Sequence, residues 1–154
     1  MRLIKDFFGN YVLMSAVLGW CIAQFLKLFS GTFSARKFHI KYMFANGGMP
    51  SSHTATVLAL TTALAVQKGF GSHAFAIAAV LSVIVMNDAF GVRLETGKQA
   101  TIINRIVKEL FSGKPEEINT GLKELVGHTP FQVLIGGIVG VAVALLYGLA
   151  VGAL

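Results

Sequence analysis

Residues 131–154 read FQVLIGGIVGVAVALLYGLAVGAL and contain no charged side chain. A helix needs about 20 consecutive apolar residues to cross the hydrocarbon core of a bilayer. The stretch exceeds that length, and only a helix satisfies all its backbone groups within one segment in lipid. It therefore predicts a membrane-spanning helix and assigns the chain to the all-α integral membrane proteins.

Small residues recur one turn apart in this segment. Gly136 and Gly140 form one such pair, and Gly148 and Gly152 form another. Pairs with this spacing let two helix backbones approach closely. The pattern fits packing within one chain, which we favour, and it also fits a homo-oligomer formed through these four glycines.

Three other apolar segments precede it. They lie at about Tyr11–Phe29, Ala55–Val66 and Ala74–Phe90. The second is short for a span, and a turn at Lys68–Ser72 would join it to the third as a hairpin. We therefore predict about four transmembrane helices. Because no repeat or linker divides the chain, residues 1–154 are expected to form a single membrane-embedded domain.

The polar stretch between the third and fourth segments, Gly91–Gly127, is expected to contain an amphipathic helix. Its apolar residues recur at helical spacing and its charges fall mostly elsewhere, which is typical of a helix at the membrane interface or over the bundle. These apolar residues are Ile102, Ile103, Ile106, Val107, Leu110 and Phe111.

Composition supports a membrane protein. Apolar residues make up 55% of the chain and charged residues 13%, whereas a soluble domain carries about a quarter charged residues. The net charge of +6 comes without a basic run interleaved with aromatics, so a membrane surface or phosphate explains it better than nucleic acid does. The single cysteine, Cys21, excludes an intramolecular disulfide.

With four spans, the loops after the first and third helices lie on the same side of the membrane. Counted from Lys27, that side holds 10 of the 13 Lys and Arg residues, and the other side keeps Arg2, Lys5 and Lys68. The positive-inside rule places the basic side in the cytoplasm. Basic residues that bind phosphate would produce the same asymmetry.

The loop before the second segment ends in GGMPSSHT at residues 47–54. Glycines such as Gly48 let the backbone approach a ligand, and the free N–H groups of a first helical turn bind anions. Ser51 and Ser52 add hydroxyl groups, and His53 exchanges a proton near neutral pH. The segment also fits a capped helix start without a ligand.

A second histidine stands before the fourth span, in GHTPFQ at residues 127–132. A neutral imidazole is a nucleophile when a partner holds one ring nitrogen and directs the other. Gln132 or a backbone carbonyl could hold His128 in this way. A lone histidine at this position is also compatible with a structural role.

A third group of polar residues ends the third segment. Asp88 needs a partner near the membrane, and Arg93 could pair with it or hold a phosphate. Lys27, Arg36 and Lys37 supply further positive charge on this side. No spacing typical of metal ligands occurs, so no metal site is predicted.

Together, GGMPSSHT, DAFGVR (88–93) and GHTPFQV (127–133) resemble the divergent PAP2 family of small membrane proteins, related to acid phosphatases and vanadium-dependent haloperoxidases. The PSSH of residues 50–53 is similar to the P-S-G-H motif of the PAP2 superfamily. His128 resembles the histidine nucleophile in the last motif of that superfamily. The resemblance covers the chain from about Lys27 to Gly140 and implies a PAP2-like helical bundle.

The resemblance implies a phosphatase acting on a lipid phosphate or pyrophosphate. His128 would attack phosphorus to give a phosphohistidine, and His53 would protonate the leaving oxygen. It implies no cofactor, although vanadate is conceivable as a phosphate mimic. The phosphate oxygens would be held by Arg93, by Gly48, Ser51 and Ser52, and by one of Lys27, Arg36 or Lys37.

The superfamily's first motif, a lysine followed after six residues by Arg-Pro, is absent from the chain, and two further positions depart from the pattern. Leu122 stands where an arginine is expected, and Gln132 stands where an aspartate follows the nucleophile. These departures keep a second function open: a membrane protein that binds or transports phosphate or a lipid phosphate without turnover.

Overall fold

The computed structural model describes residues 1–35, 48–110, 122 and 127–154. All regular structure in these residues is helical. A five-residue π-helical turn, Asp88–Val92, joins the fourth helix to the fifth. The helices are α1 (Arg2–Phe8), α2 (Tyr11–Ala35), α3 (Ser52–Lys68), α4 (His73–Asn87), α5 (Arg93–Leu110) and α6 (Pro130–Val151).

Helix α3 is the centre of the bundle and contacts α2, α4 and α6. Its inward positions are the fully buried alanines Ala55, Ala59 and Ala63. A methyl group at Gly19 of α2 would lie 2.9 Å from the Cβ of Ala59, so the two helices are packed nearly backbone to backbone. Small residues permit this approach, and van der Waals contact then holds the helices together in lipid.

The glycines of α6 are used within the chain. A Cβ at Gly140 would lie 2.3 Å from the carbonyl oxygen of Ala55, and one at Gly136 would lie 2.5 Å from that of Ser51. Gly148 borders Tyr11 of α2. This is the intramolecular packing favoured from the sequence. Gly152 follows α6, and a Cβ there would meet nothing within 4 Å, so a homo-oligomer formed through the four glycines stays a prediction.

Three helical stretches in the described residues are long and apolar enough to cross a membrane: Tyr11–Gly31, His73–Leu110 and Pro130–Val151. The predicted count of four spans is not confirmed. Helix α3 has only 17 residues, or about 26 Å at 1.5 Å per residue. Its alanines face the neighbouring helices, so α3 is the core of the bundle.

The third apolar segment does not end at Phe90 as the sequence predicted. The helix continues through the π turn into α5, and His73–Leu110 spans 38 residues. That is nearly twice the roughly 20 residues that a bilayer crossing needs, so α5 extends beyond the hydrocarbon core. Its residues Ile102, Ile103 and Ile106 are exposed, as expected of an amphipathic helix. Phe111 and most of the following loop lie outside the described residues.

Four chain segments meet at one end of the bundle. The N–H of Ser51, before α3, donates to the carbonyl of Gln132 in α6 over 3.1 Å. The hydroxyl of Ser30, near the end of α2, donates to the carbonyl of Met49. The N–H of His128 donates to the carbonyl of Ala89 in the π turn over 3.0 Å. The segments that carry His53, His128 and Arg93 thus meet at the same end.

Candidate functional site

His53 and His128 lie side by side at this end of the bundle. His53 is in the first turn of α3 and His128 stands two residues before α6. Their ring centroids are 6.4 Å apart and the ring planes are inclined by 78°. His128 is only 2% exposed. At this separation of the rings, one phosphate-sized group placed between them would contact both imidazoles.

The position of His128 depends on the residue before it. A Cβ at Gly127 would lie 2.4 Å from the Cα of Leu94 and 2.8 Å from the carbonyl carbon of Arg93, so only glycine fits. This contact and the hydrogen bond from the N–H of His128 to Ala89 hold the segment before α6 against the π turn and the start of α5. They bring His128 next to the start of α5.

Both ring nitrogens of His128 are buried without a hydrogen-bond partner among the described residues. A buried polar group left in this state costs about 1–3 kcal/mol and calls for an explanation. A ligand or a water molecule at the site would supply the missing partners.

The structure corrects the role predicted for Gln132. Its side-chain oxygen accepts the N–H of Thr129 over 3.0 Å. The hydroxyl of Thr129 in turn accepts the N–H of Gln132 over 3.4 Å. This reciprocal pair is a capping box at the start of α6. The amide therefore caps the helix instead of holding the ring of His128.

Positive charge surrounds the two imidazoles. Burial, together with the charges of Lys27, His53 and Arg93, lowers the pKa of His128 from 6.5 to about 4. Burial, Arg93 and Lys27 also lower the pKa of His53 from 6.5, while Asp88 opposes them. Both rings are therefore mainly neutral at pH 7, in a positive environment that favours an anion.

Lys27 reaches the site from α2 and is 3% exposed. Its Cγ lies 3.6 Å from where a Cβ would stand on Gly48. Gly48 has a φ of 93°, which favours glycine, so the loop backbone turns closely over the lysine stem. The structure thus brings Lys27 and Gly48 together, and their binding of a phosphate stays a prediction.

Asp88 and Arg93 form an ion pair across the π turn. The Nε of Arg93 donates to Oδ2 of Asp88 over 2.5 Å, and both side chains are about half exposed. Residues five apart share a face in a π turn, whereas α-helical neighbours are three or four apart. The pair fixes the guanidinium through Nε, and the Nη groups lie outside that bond. The structure thus shows Arg93 as the ion-pair partner of Asp88, and its role as a phosphate ligand stays a prediction.

The two serines are buried, Ser51 completely. The hydroxyl of Ser51 accepts the N–H of Thr54 over 3.4 Å and its hydroxyl over 3.0 Å, which makes Ser51 the N-cap of α3. The capped-helix interpretation therefore holds for Ser51, beside His53. Arg36 and Lys37 lie outside the described residues. Among the residues that are described, no three His, Cys, Asp or Glu side chains are grouped to hold a metal ion.

Sequence reasoning missed the π turn and the docking role of Gly127. The sequence signal for the docking role of Gly127 is its position directly before His128. The π turn has no comparable signal, because the DAFGV of residues 88–92 continues an apolar segment without a break.

The fold and the site define a small helical membrane protein in which, among the described residues, His53, His128, Lys27 and Arg93 lie at one end of the bundle. The profile of the divergent PAP2 family matches residues 8–143, and the chain belongs to this family. It is 38% identical to the uncharacterized membrane protein YuiD of Bacillus subtilis (strain 168), over 88% of this chain and 92% of that protein. No solved structure matches the chain.

Lowering the pH from about 6.5 to 4 should destabilise the protein through His128. The folded state keeps this ring neutral down to about pH 4, while the unfolded chain takes up a proton near pH 6.5. Stability is therefore complete above the unfolded pKa and falls as the pH drops through this window, by about 3 kcal/mol. Thermal unfolding in detergent measures the effect. His128→Asn should flatten the dependence of stability on pH. His73→Asn, at an exposed position, should leave that dependence unchanged. If the two variants lose stability equally with pH, His128 is not the titrating group.

Proposed function

We propose that this protein is a membrane phosphatase that hydrolyses a lipid phosphate or pyrophosphate through a phosphohistidine on His128. The observation that carries the proposal is the state of His128: a buried, neutral imidazole with both nitrogens unpartnered in the described structure. It lies beside a second imidazole and two cations. A neutral imidazole has the lone pair that a nucleophile needs at pH 7.

The reaction takes two displacements. A ring nitrogen of His128 attacks phosphorus, the bond from phosphorus to the leaving oxygen breaks, and His53 gives that oxygen its proton. Water then attacks the phosphohistidine, the N–P bond breaks, phosphate leaves, and His53 takes a proton from the water. Lys27 and Arg93 stabilise the charge on the phosphoryl oxygens.

His53 needs a proton before it acts as an acid. Its pKa is lowered in the ligand-free site by burial and by the cations Arg93 and Lys27. An anionic phosphate between these groups offsets the cationic charge and favours the protonated ring. Substrate binding and proton uptake by His53 are therefore coupled in this mechanism.

The proposal places the site at the membrane surface on the cytoplasmic side. With four spans, 10 of the 13 Lys and Arg residues fall on the side of the membrane that carries His53 and His128. The positive-inside rule supports that orientation. In this arrangement the apolar part of α3, residues 55–66, is a short fourth span packed among the three candidate spans, and His53 lies outside it.

His53→Ala separates the acid role from phosphate binding. With the purified protein in detergent, the variant should release phosphate from an alkyl phosphate about a hundred- to ten-thousandfold more slowly. For 4-nitrophenyl phosphate the loss should be much smaller, since that leaving group departs without a proton. Equal losses on both substrates would contradict the acid role. A wild-type protein that releases phosphate from neither would overturn the phosphatase proposal.

Binding without turnover is a second candidate function, and the capping role of Gln132 favours it. The superfamily's aspartate would stabilise the imidazolium of the nucleophile, and this chain has an amide there that is engaged by Thr129. In that case calorimetry would show binding of a lipid phosphate, weakened by Arg93→Ala, with no phosphate released.

A further inference from the structure

An apolar groove with a volume of about 670 Å³ runs along α6 between α3 and α4. Leu58 of α3 and Met86 of α4 form part of its walls. Leu134, Ile138 and Leu145 line the α6 side, and all three are exposed outside the bundle core. The groove therefore opens toward the lipid side of the bundle.

One end of the groove adjoins the histidine pair. Pro130 lines it two residues after His128. Phe90 also lines it and directly follows Ala89, whose carbonyl accepts the N–H of His128. From Pro130 to Leu145 the groove follows α6 for about 22 Å at 1.5 Å per residue. It thus extends from the site through most of the roughly 30 Å hydrocarbon layer.

We propose, resting on the proposed function, that this groove holds one hydrocarbon chain of the substrate. The substrate class is then a long-chain lipid phosphate. Its phosphate lies at His53 and His128, and its chain runs along α6 toward Leu145. Cations at one end and an apolar groove continuing from them match the two ends of such an amphiphile.

A lipid chain fits this groove better than a helix from a second copy does. The residues of α6 that would let another backbone approach closely, Gly136 and Gly140, face α3 and are already in contact with it. The side of α6 that lines the groove carries mainly bulky apolar side chains, and the space above its one glycine, Gly137, is filled by Leu58 of α3. The groove also lies between α4 and α6, which both belong to candidate membrane spans, so hydrocarbon adjoins it.

The groove contributes orientation more than affinity. Lipid tails are as apolar as leucine, so moving a chain from bilayer to groove yields little hydrophobic free energy. When the hydrocarbon chain is held along α6, the phosphorus of the headgroup is directed at His128. Misplacing a reacting group by about 1 Å can lower the rate a hundredfold. Blocking the groove should therefore change kcat/KM according to chain length.

Ala142→Trp tests the groove, with Ala76→Trp as the matched control. Ala142 lines the groove and is exposed, so the indole fills the groove without entering the core. Ala76 is an exposed alanine of α4 outside the described groove lining. For an alkyl phosphate long enough to pass Ala142, Ala142→Trp should lower kcat/KM about tenfold. A short-chain phosphate that ends before Ala142, and the control variant, should be little affected; equal effects on both chain lengths would overturn the groove assignment.

A second measurement does not depend on turnover. A long-chain alkyl phosphate with a photoreactive diazirine at the chain end should crosslink near Ala142 and Leu145, as mapped by mass spectrometry. Ala142→Trp should abolish that crosslink and Ala76→Trp should retain it. Crosslinking in the groove without phosphate release would sink the phosphatase proposal and leave the lipid-phosphate site standing. Crosslinks elsewhere, or between two copies across the groove, would overturn the groove proposal.

Discussion

His128→Ala is expected to reduce phosphate release by at least about a thousandfold, since loss of a covalent nucleophile leaves only binding and electrostatic stabilisation. The two buried ring nitrogens have no described partner, so the substitution removes no hydrogen bond that the described fold requires. The backbone N–H of His128, which donates to Ala89, is kept. The loss should therefore appear in activity far more than in folding.

His73→Ala is the matched control for this variant. His73 is an exposed histidine that begins α4, at the opposite end of the helix from the π turn. Its removal should leave phosphate release unchanged within about twofold, as expected for an exposed residue away from the site. Activity that survives His128→Ala in a folded protein would exclude His128 as the nucleophile.

Gly140→Ala is expected to destabilise the protein by about 3 kcal/mol or more, at the upper end for an overpacked core. The added methyl group would stand 2.3 Å from the carbonyl oxygen of Ala55, so α6 has to move away from α3. That movement also displaces Ser51 and His53, which begin α3, relative to His128. Activity should therefore fall together with stability.

Thermal unfolding in detergent measures this effect, and Gly71→Ala supplies the control. A Cβ at Gly71 meets nothing within 4 Å, and this glycine lies in the turn between α3 and α4. The control should unfold within a few degrees of the wild type. If Gly140→Ala also unfolds within a few degrees of the wild type, α6 is not packed on α3 as closely as the structure shows.

Much of the fold follows from the sequence because apolar runs and their lengths determine membrane helices directly. The segment 131–154 and the segment after Tyr11 both become long helices. The short second segment was the ambiguous one. Its length of 17 residues and its buried alanines make it the bundle centre, and a single sequence does not distinguish a buried helix from a lipid-facing one.

The juxtaposition of His53 and His128 could be predicted because successive loops lie on alternate sides of the membrane. The loops that lead into α3 and α6 therefore lie on the same side. The contacts that orient the residues could not be predicted. A π turn differs from an α-helix by one residue of hydrogen-bond register, and no residue pattern around Asp88 and Arg93 marks it. Gln132 had two local uses, capping and ring support, and only the three-dimensional arrangement decides between them.

The most direct measurement is the identity of the residue that carries phosphate during turnover. The wild-type protein is mixed with a radiolabelled long-chain alkyl phosphate and stopped in alkali, in which a phosphohistidine survives. Peptides are then mapped by mass spectrometry. Label on His128, absent in His128→Ala and retained in His73→Ala, is the expected result. Label on any other residue, or turnover with no label on the protein, would contradict a nucleophilic His128.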